Sequence, residues 1–250
     1  MFDNKIKFLT SKKYLEANCV YPEVTKLNIP DWYKNLNHTP ESFTVKGCMP
    51  FLDTLTTGYI LKMPLDFHIH HNFIKNESRS TFAKSQILFN HKKELDINVN
   101  SDADESHPPY QVGDKCPFLH KNKDLQIHKI LNPWVIKTPP GYSCLFVPPL
   151  NNADDRFSII AGIVDTDTFT QEINFPFVIN GDKYPVLDTV VKMGTPYVQV
   201  IPFKRESWKM EIGESKQYRT LEYLNFIKNI YINIKIGFGE KNRGSRFRQN

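Results

Sequence analysis

Short apolar runs separated by turn residues dominate the chain from residue 134 to residue 203. Residues 65–69 show the same pattern in its simplest form, because apolar and polar side chains alternate with the period of two that is typical of a half-buried strand. Gly58 interrupts the preceding run and predicts a turn or bulge, and residues 180–183 (Asn-Gly-Asp-Lys) predict a turn between strands. From residue 51 onward the pattern predicts strands, and the fold class is all-β with minor α content.

Two stretches have helical rather than strand periodicity. Residues 29–36 predict a short helix with Asp31 as its N-cap and with Trp32 and Leu36 on one face. Between residues 221 and 234, apolar side chains recur at steps of three and four, as on one stripe of an amphipathic helix that ends at the glycines beyond it. We expect this C-terminal helix to pack on the sheet. A helix used for self-association is the alternative.

These patterns divide the chain into three parts. Residues 1–50 form an irregular N-terminal segment, residues 51–210 the β domain, and residues 211–250 the amphipathic helix with a basic tail. Residues 71–130 are rich in Lys, Asn, Asp and His, so we expect a polar insertion there, with one strand at residues 85–89.

The composition is that of a chain with a sizeable core and many turns. Its 250 residues include 18 Phe and 11 Tyr, and 17 Pro against 11 Gly favour short strands joined by defined turns. The four cysteines form no Cys-x-x-Cys pair, which favours free thiols in a reducing compartment. We see neither a signal peptide nor a long apolar run, and we therefore expect a soluble protein with no membrane partner.

The net charge of +5 is concentrated near the C-terminal end. Residues 235–250 contain five Lys or Arg against one Glu, which gives +4 for this segment and leaves +1 for the other 234 residues. A basic tail of this kind suits phosphates, nucleic acid or an acidic partner surface. A solvated tail without a partner is the alternative.

Several segments resemble the motifs of the trimeric dUTPase family, which includes the dCTP deaminases. The similar segments are residues 57–61 (first motif), 140–148 (the strand before the second motif), 162–169 (third motif, Gly-Ile-Val-Asp-Thr-Asp-Thr-Phe) and 194–200 (fourth motif, Gly-Thr-Pro-Tyr-Val-Gln-Val). The resemblance implies a dUTPase-like jelly-roll or β-barrel fold interrupted by the insertion, and a homotrimer as the expected assembly.

In that family the hairpin of the third motif holds deoxyuridine, and its first acid orients the attacking water. Asp165 takes this position, so the resemblance implies that it is the general base. It also implies that Gly162, Asp167 and Gln199 contact the ligand. An Asp-Thr-Asp turn that satisfies its own backbone through side-chain bonds is the alternative for both acids.

The chain departs from the family where the triphosphate is bound. Pro149 and Leu150 replace an Arg-Ser pair and offer no side-chain donor to a phosphate. Ile60 replaces the acid of the first motif, and Pro196 stands where the fourth motif usually has Arg. The sequence therefore argues against efficient dUTP hydrolysis.

Near the C-terminal end, residues 243–247 (Arg-Gly-Ser-Arg-Phe) resemble the glycine-rich arm that covers the nucleotide in these enzymes. The resemblance implies that Arg243 meets a phosphate, that Phe247 stacks on a base, and that Arg246 belongs to the same ligand-binding set. A chance match of five residues is the alternative.

The whole chain is also similar to an uncharacterised protein family of marine bacteriophages. The matching phrases are residues 48–53, 132–134, 138–143 and 199–208. This resemblance brings no activity with it, but it implies that the protein is found in the host cytoplasm or in the virion.

His68 and His70 lie two residues apart on a predicted strand, so their side chains face the same side. Together with Asp66 and His71 they are the candidate metal ligands of the sequence. We favour a solvated strand face rich in histidine. We therefore predict no metal and no cofactor, with Mg²⁺ as the expected ion if the protein is an enzyme.

Three functions remain open on the sequence alone, because a fold does not carry an activity with it. We favour a phage accessory protein that binds a nucleotide-like or anionic ligand without efficient dUTP hydrolysis. The first alternative is a virion structural or interaction protein in which Asp165 is only a turn residue. The second alternative is a divergent nucleoside-triphosphate hydrolase that uses Asp165. Whether the protein is an enzyme stays open, and we lean towards a protein that is not.

Overall fold

The computed structural model describes residues 5–16, 20–82, 106–113, 115–152 and 154–213. The chain divides into two compact units, Met1–Arg205 and Glu206–Asn250. Every helix and strand given below belongs to the first unit, and residues 206–213 of the second unit contain neither. The strand expected at residues 85–89, the helix expected at residues 221–234 and the basic tail lie outside the described residues.

The described part of the chain is mostly β, as predicted, with few and short helices. The strands are β1 Lys7–Leu9, β2 Glu23–Val24, β3 Tyr59–Lys62, β4 Phe67–Asn72, β5 Glu77–Phe82, β6 Ser106–His107, β7 Ile127–Ile130, β8 Val135–Lys137, β9 Tyr142–Val147, β10 Phe157–Ile159, β11 Gly162–Val164, β12 Phe175–Ile179, β13 Val186–Val191 and β14 Pro196–Lys204. The α-helices are α1 Lys12–Glu16, α2 Asp31–Lys34, α3 Met49–Thr56, α4 Pro109–Val112 and α5 Pro117–Lys121, with 3₁₀ turns at Thr25–Asn28 and Val45–Gly47. Among these helices none is long and apolar enough to cross a membrane.

The strands form four antiparallel sheets. Their orders are β11-β9-β14-β3-β2, β10-β12-β7-β6, β13-β4-β5 and β1-β8. None of these sheets closes into a barrel within the described ranges, so the jelly-roll barrel stays a prediction. The predicted turn at residues 180–183 lies between β12 and β13, and three described cysteines (Cys48, Cys116 and Cys144) are free thiols.

One apolar core joins the four sheets. Phe67 of β4, Phe146 of β9, Phe175 of β12 and Ile136 of β8 are each at most 2% exposed and belong to the same cluster. Ring contacts connect the sheets directly, since the Phe146 and Phe175 centroids lie 5.4 Å apart in a tilted arrangement. The alternation predicted at residues 65–69 is confirmed, since Leu65, Phe67 and Ile69 are buried.

Two sequence expectations near the N-terminal end are wrong in detail. Residues 51–56, expected as strand, lie in α3, where a proline in the first turn and threonine side chains that bond backward carbonyls favour the helix. The helix at Asp31 exists, but Pro30 rather than Asp31 is its N-cap. Tyr33 of this helix is 4% exposed and stacks on Phe51, whereas Trp32, for which the sequence predicted only a shared face with Leu36, is 48% exposed.

Both ends of the polar stretch at residues 71–130 take part in the sheets. β5 pairs with β4 along its whole length, and β7 pairs with β12. Ile127 and Ile130 of β7 are buried at 1% and 0% exposure. Within the described residues, what the sequence presents as an insertion therefore contributes three whole strands, β5, β6 and β7, and part of the core.

Gln199 is a polar residue in the middle of β14, and it is 1% exposed. Its Nε2 donates to the carbonyl oxygens of Thr54 (3.0 Å) and Thr57 (2.7 Å), and its Oε1 accepts from the Leu150 N–H at 2.9 Å. The amide thus ties the end of α3 and the loop after β9 to the sheet. Next to it, Gly58 has φ +75° and lies so close to Val200 that a Cβ would meet the Val200 carbonyl oxygen at 2.2 Å, so only glycine fits.

Two buried histidines link the sheet of β4 to the sheet of β7. The Ser78 Oγ lies 3.2 Å from Nδ1 of His71 and 3.0 Å from Nε2 of His128. Burial, together with the neighbouring His128, lowers the pKa of His71 to about 4, and burial lowers the pKa of His128. Both imidazoles are therefore neutral at pH 7.

Replacing Gln199 by Leu should lower the free energy of unfolding by about 2–3 kcal/mol, because the substitution leaves backbone groups of Thr54, Thr57 and Leu150 without their partner. Urea unfolding measures the change. The matched control is Gln171→Leu at an exposed position, and equal stabilities of the two variants would contradict the role given to Gln199.

The buried histidines should make stability fall as the pH falls from about 6.5 to about 4. In this range the unfolded chain binds protons that the folded chain does not, because the folded-state pKa of His71 is about 4 instead of 6.5. The loss should reach about 3 kcal/mol at the acid end for His71 alone. Urea unfolding across this range should show a flatter profile for His71→Gln than for wild type, whereas His120→Gln at an exposed position should keep the wild-type slope.

Candidate functional site

The two acids that the sequence singles out lie where three strand ends meet. Strand β11 ends at Val164, opposite Cys144 of β9, and Asp165 follows it. Strand β14 ends at Lys204, opposite Tyr142, and Arg205 follows with its N–H bonded to the Gly141 carbonyl at 2.8 Å. Sheet register therefore brings a cation to the Asp-Thr-Asp segment. This segment is a turn after β11 and does not join two paired strands, because β11 pairs with β9 while the next strand, β12, lies in another sheet; it is called the hairpin below only after the family motif that it resembles.

Asp167 is a buried partner of Arg205. Its side chain is 7% exposed, and both of its oxygens accept from the guanidinium, with Nη1 to Oδ1 at 2.9 Å and Nη2 to Oδ2 still closer. Oδ2 also accepts from the Gly141 N–H at 2.8 Å. The Arg205 bonds first, and then the Gly141 bond, lower the pKa of Asp167 to about 2, so this acid is a carboxylate across the physiological range.

Asp165 is held in place but stays open to solvent, with a side chain that is 58% exposed. Its Oδ1 accepts from the Ser143 hydroxyl at 2.6 Å and lies 3.1 Å from Nη1 of Arg205. Its Oδ2 has no bond to any residue that the structure describes. One oxygen thus fixes the orientation while the other is available as an acceptor.

Thr166, between the two acids, is fully buried and fixes the turn to the strands beneath it through its side chain. Its hydroxyl lies 2.8 Å from the Thr138 hydroxyl and 3.3 Å from the Cys144 sulfur. The backbone closes the turn, because the N–H groups of Thr168 and Phe169 both donate to the Asp165 carbonyl. The acid side chains are not needed for these turn bonds and instead contact Ser143, Gly141 and Arg205.

A small cavity of about 100 Å³ lies beside the hairpin. Its lining consists of two tyrosines, two prolines, a threonine, an isoleucine and a lysine: Tyr59, Tyr142, Pro139, Pro202, Thr138, Ile6 and Lys5. Typical sites for drug-sized ligands are about 300–1,000 Å³. The cavity therefore has room for a fragment such as a single ring, and not for a whole nucleotide.

The other residues expected at the ligand are not all at the hairpin. Gly162 is exposed in β11 with open space above its Cα atom. The Gln199 amide is buried and occupied by backbone groups, as described above. Arg243, Arg246 and Phe247 lie outside the described residues.

His68 and His70 face outward on β4, as expected, while His71 points into the core. His68 Nε2 and His70 Nδ1 (3.2 Å) both lie against the carboxylate of Asp188 on the neighbouring strand β13. These bonds, with that of His68 first, lower the pKa of Asp188. Within the described residues no group of three or more His, Cys, Asp or Glu is arranged to hold a metal ion.

Sequence reasoning missed Arg205 and Ser143 as parts of this site. Arg205 stands in a mixed-charge segment to which the sequence analysis assigned no ligand role, and Ser143 stands inside an apolar strand. The signal for both is the pairing of β14 and β11 with β9, which places Phe203 and Ser143 opposite one another. Pairing of this kind is not visible in one sequence.

No protein-family model matches the chain, and no curated protein matches it. Among solved structures, the chain is similar to a variant of the dUTPase of Staphylococcus bacteriophage 80alpha with dUpNHpp. The identity is 10%, the TM-score is 0.35, and the match covers 87% of this chain and 90% of that one. At this identity and TM-score the likeness carries no argument about the present chain.

Asp167→Asn should destabilise the fold more than Asp165→Asn, since only Asp167 is buried against Arg205 and Gly141. The folded-state pKa of Asp167 is about 2 instead of 3.8. Its stabilising contribution is therefore complete above pH 4 and is lost as the pH falls through about 2. Thermal melting of wild type and both variants between pH 2 and pH 7 measures this. Equal melting temperatures of the two variants at pH 7 would contradict the assignment.

Proposed function

We propose that the protein binds a nucleotide-like ligand at the Asp165 hairpin and does not hydrolyse it efficiently. The observation that supports this is the state of Asp165: one carboxylate oxygen is fixed by Ser143 and Arg205, and the other is exposed without a described partner. An acceptor that is already oriented loses little freedom when a ligand binds to it.

The chemistry of this acceptor selects the part of the ligand that meets it. A carboxylate accepts hydrogen bonds and repels other anions, so the group opposite Asp165 carries a hydroxyl or an N–H. The sugar and base of a nucleoside supply both kinds of donor. A ligand that is only anionic suits the hairpin poorly, because the charge of Arg205 is already matched by Asp167 and Asp165.

The small cavity next to the hairpin suits one ring of such a ligand. Tyr142 belongs to both features, since it lines the cavity and directly precedes Ser143, the donor to Asp165. Tyr59 and Pro202 supply further flat apolar surface, and aromatic faces stack on bases without regard to sequence. In this proposal the rest of the ligand stays outside the cavity.

Efficient hydrolysis of a triphosphate requires cationic or donor groups around the phosphates. Pro149 and Leu150 provide no side-chain donor, and the Leu150 N–H is occupied by Gln199. Arg205 is held by the two acids of the hairpin. These contacts support binding rather than turnover.

The remaining sequence expectations enter the proposal unchanged. Residues 235–250, with Arg243, Arg246 and Phe247, are the candidate contacts to phosphates, to nucleic acid or to an acidic surface. A homotrimer with a dUTPase-like barrel, an accessory role in a phage, and a location in the host cytoplasm or virion remain hypotheses.

A virion structural or interaction role is the second candidate, and one surface favours it. In the N-terminal segment, Leu27, Phe43 and Met49 are 65%, 82% and 61% exposed, and Trp32 is 48% exposed. A contiguous exposed apolar patch is typical of a surface that a partner covers, and these four side chains are the candidates for such a patch. Appearance of the protein in purified particles, without any response to nucleotides, would favour this role.

The test is thermal melting of the full chain with deoxyuridine monophosphate, deoxyuridine and inorganic pyrophosphate. We expect the nucleotide and the nucleoside to raise the melting temperature by several degrees at saturation, because a ligand that binds only the folded state stabilises it. Pyrophosphate alone should have little effect at the hairpin. Asp165→Asn should remove the nucleoside shift, while the matched variant Asp124→Asn at an exposed turn should keep it.

Release of pyrophosphate or phosphate from dUTP with Mg²⁺ should not exceed that of a protein-free control. Release that Asp165→Asn abolishes would replace this proposal by the hydrolase hypothesis. Absence of a melting shift with every nucleotide tried would reject both ligand-based functions.

A further inference from the structure

The outward face of the β13-β4-β5 sheet carries polar side chains in register. Cross-strand pairing places Asp188 opposite His70 and His70 opposite Arg79, which forms one row across three strands. In the next row His68 lies opposite Thr81. Directly opposite side chains on one face of a sheet have Cβ atoms about 5 Å apart, so these rows form one surface, which is polar except where the exposed Val190 of β13 lies opposite His68.

This surface is concave. A cavity of about 640 Å³ lies over it, and its lining includes His68, His70, Asn76, Glu77, Arg79 and Thr81. That volume falls within the range of about 300–1,000 Å³ of ordinary small-molecule sites. The cavity over this sheet therefore has room for a complete small ligand, unlike the cavity beside Asp165.

The imidazoles in this cavity are oriented by carboxylates. Asp188 accepts from both His68 and His70, and the other nitrogen of His70 lies 3.6 Å from Oε2 of Glu77. Asp188 and Glu77 are 59% and 55% exposed. Their remaining lone pairs face solvent as hydrogen-bond acceptors.

Arg79 differs from the other residues of this surface. It is exposed, and it has neither a hydrogen bond nor an ion pair with any residue that the structure describes. By contrast, the guanidinium of Arg156 is paired with Asp154 and that of Arg205 with Asp167. Arg79 therefore has an uncompensated positive charge beside the hydroxyl of Thr81 and the amide of Asn76.

We infer that this concave face binds a small hydroxylated ligand that carries one oxyanion group, a phosphate or a carboxylate. The oxyanion pairs with Arg79, whose planar guanidinium matches two oxygens of either group, and Thr81 donates a further bond. The hydroxyl groups of the ligand donate to Glu77, the acid that lines the cavity. Glu77 and Asp188 also disfavour polyanions, so a single anionic group fits better than a triphosphate chain.

This site is independent of the proposed nucleotide function. It lies on a different sheet from the Asp165 hairpin, and the two sites share no residue. The two proposals therefore succeed or fail separately in the experiment below.

The test is calorimetric titration of the full chain with glycerol phosphate, glycerate, glycerol and inorganic phosphate. We expect saturable binding of glycerol phosphate or glycerate, the preferred one identifying the oxyanion, and none of glycerol. Arg79→Gln should weaken this binding by about tenfold or more. The matched control Lys26→Gln removes an exposed positive charge elsewhere and should bind as wild type does.

Glu77→Gln separates the hydroxyl contacts from the oxyanion contact. This variant should weaken the binding of glycerol phosphate. The binding of inorganic phosphate should stay as tight or become tighter, because the variant removes a like charge. Asp165→Asn should leave all these affinities unchanged. The melting temperature of each variant shows whether it is folded. The inference is overturned if no probe saturates the wild type or if Arg79→Gln binds the probes as tightly as wild type does. It is also overturned if Lys26→Gln lowers the affinity as much as Arg79→Gln does.

Discussion

The guanidinium of Arg205 fixes the Asp165–Asp167 hairpin, the segment that the sequence singles out and that carries the candidate site in the structure. It forms two bonds to Asp167, approaches Asp165, and donates to the Ser143 hydroxyl and the Tyr142 carbonyl. These partners come from the start of β9 and from the turn after β11, while Arg205 itself follows β14. A slip of β14 by one residue would turn the neighbouring side chains to the opposite face, and the two acids would lose their cation. The charge pattern of the hairpin is therefore a consequence of strand register.

Local sequence patterns predicted most of the strands, and they failed where contacts between residues far apart in the sequence determine the local structure. The period-two alternation around Phe67 and Ile69 correctly predicted β4 with His68 and His70 facing outward. The strand expected at residues 51–56 is helical instead, because a short apolar run fits either structure. Hydrogen bonds from the Gln199 amide to the carbonyl oxygens of Thr54 and Thr57 stabilise the C-terminal end of this helix. The position of Asp165 on a tight turn followed from the sequence, but its partners did not, since Arg205 is separated from it by 40 positions in the printed chain.

Polar residues of the types that often form binding sites also stabilise the fold of this protein. Gln199 is buried and fully bonded to backbone groups, and the imidazoles of His71 and His128 join two sheets through Ser78. A buried polar group is costly unless it is bonded, and once it is bonded it fixes how the elements meet. Exposure together with an unused donor or acceptor is therefore the better guide to a ligand site, and by that measure Asp165 and Arg79 differ from their neighbours.

Asp165 and Arg79 present opposite chemistry. At the hairpin two acids face one guanidinium, so the group left over is an acceptor and the fitting ligand brings donors. On the β13-β4-β5 sheet the carboxylate of Asp188 is bonded to His68 and His70 and that of Glu77 lies beside His70, so the charge left without an ion-pair partner is that of Arg79 and the fitting ligand brings an oxyanion. Since charge compensation within each cluster decides what remains for a partner, ligand chemistry follows from the ion pairs already made inside the fold. The same composition of Asp, His and Arg in a different register would select different ligands, and for this reason fold class alone is a poor guide to function.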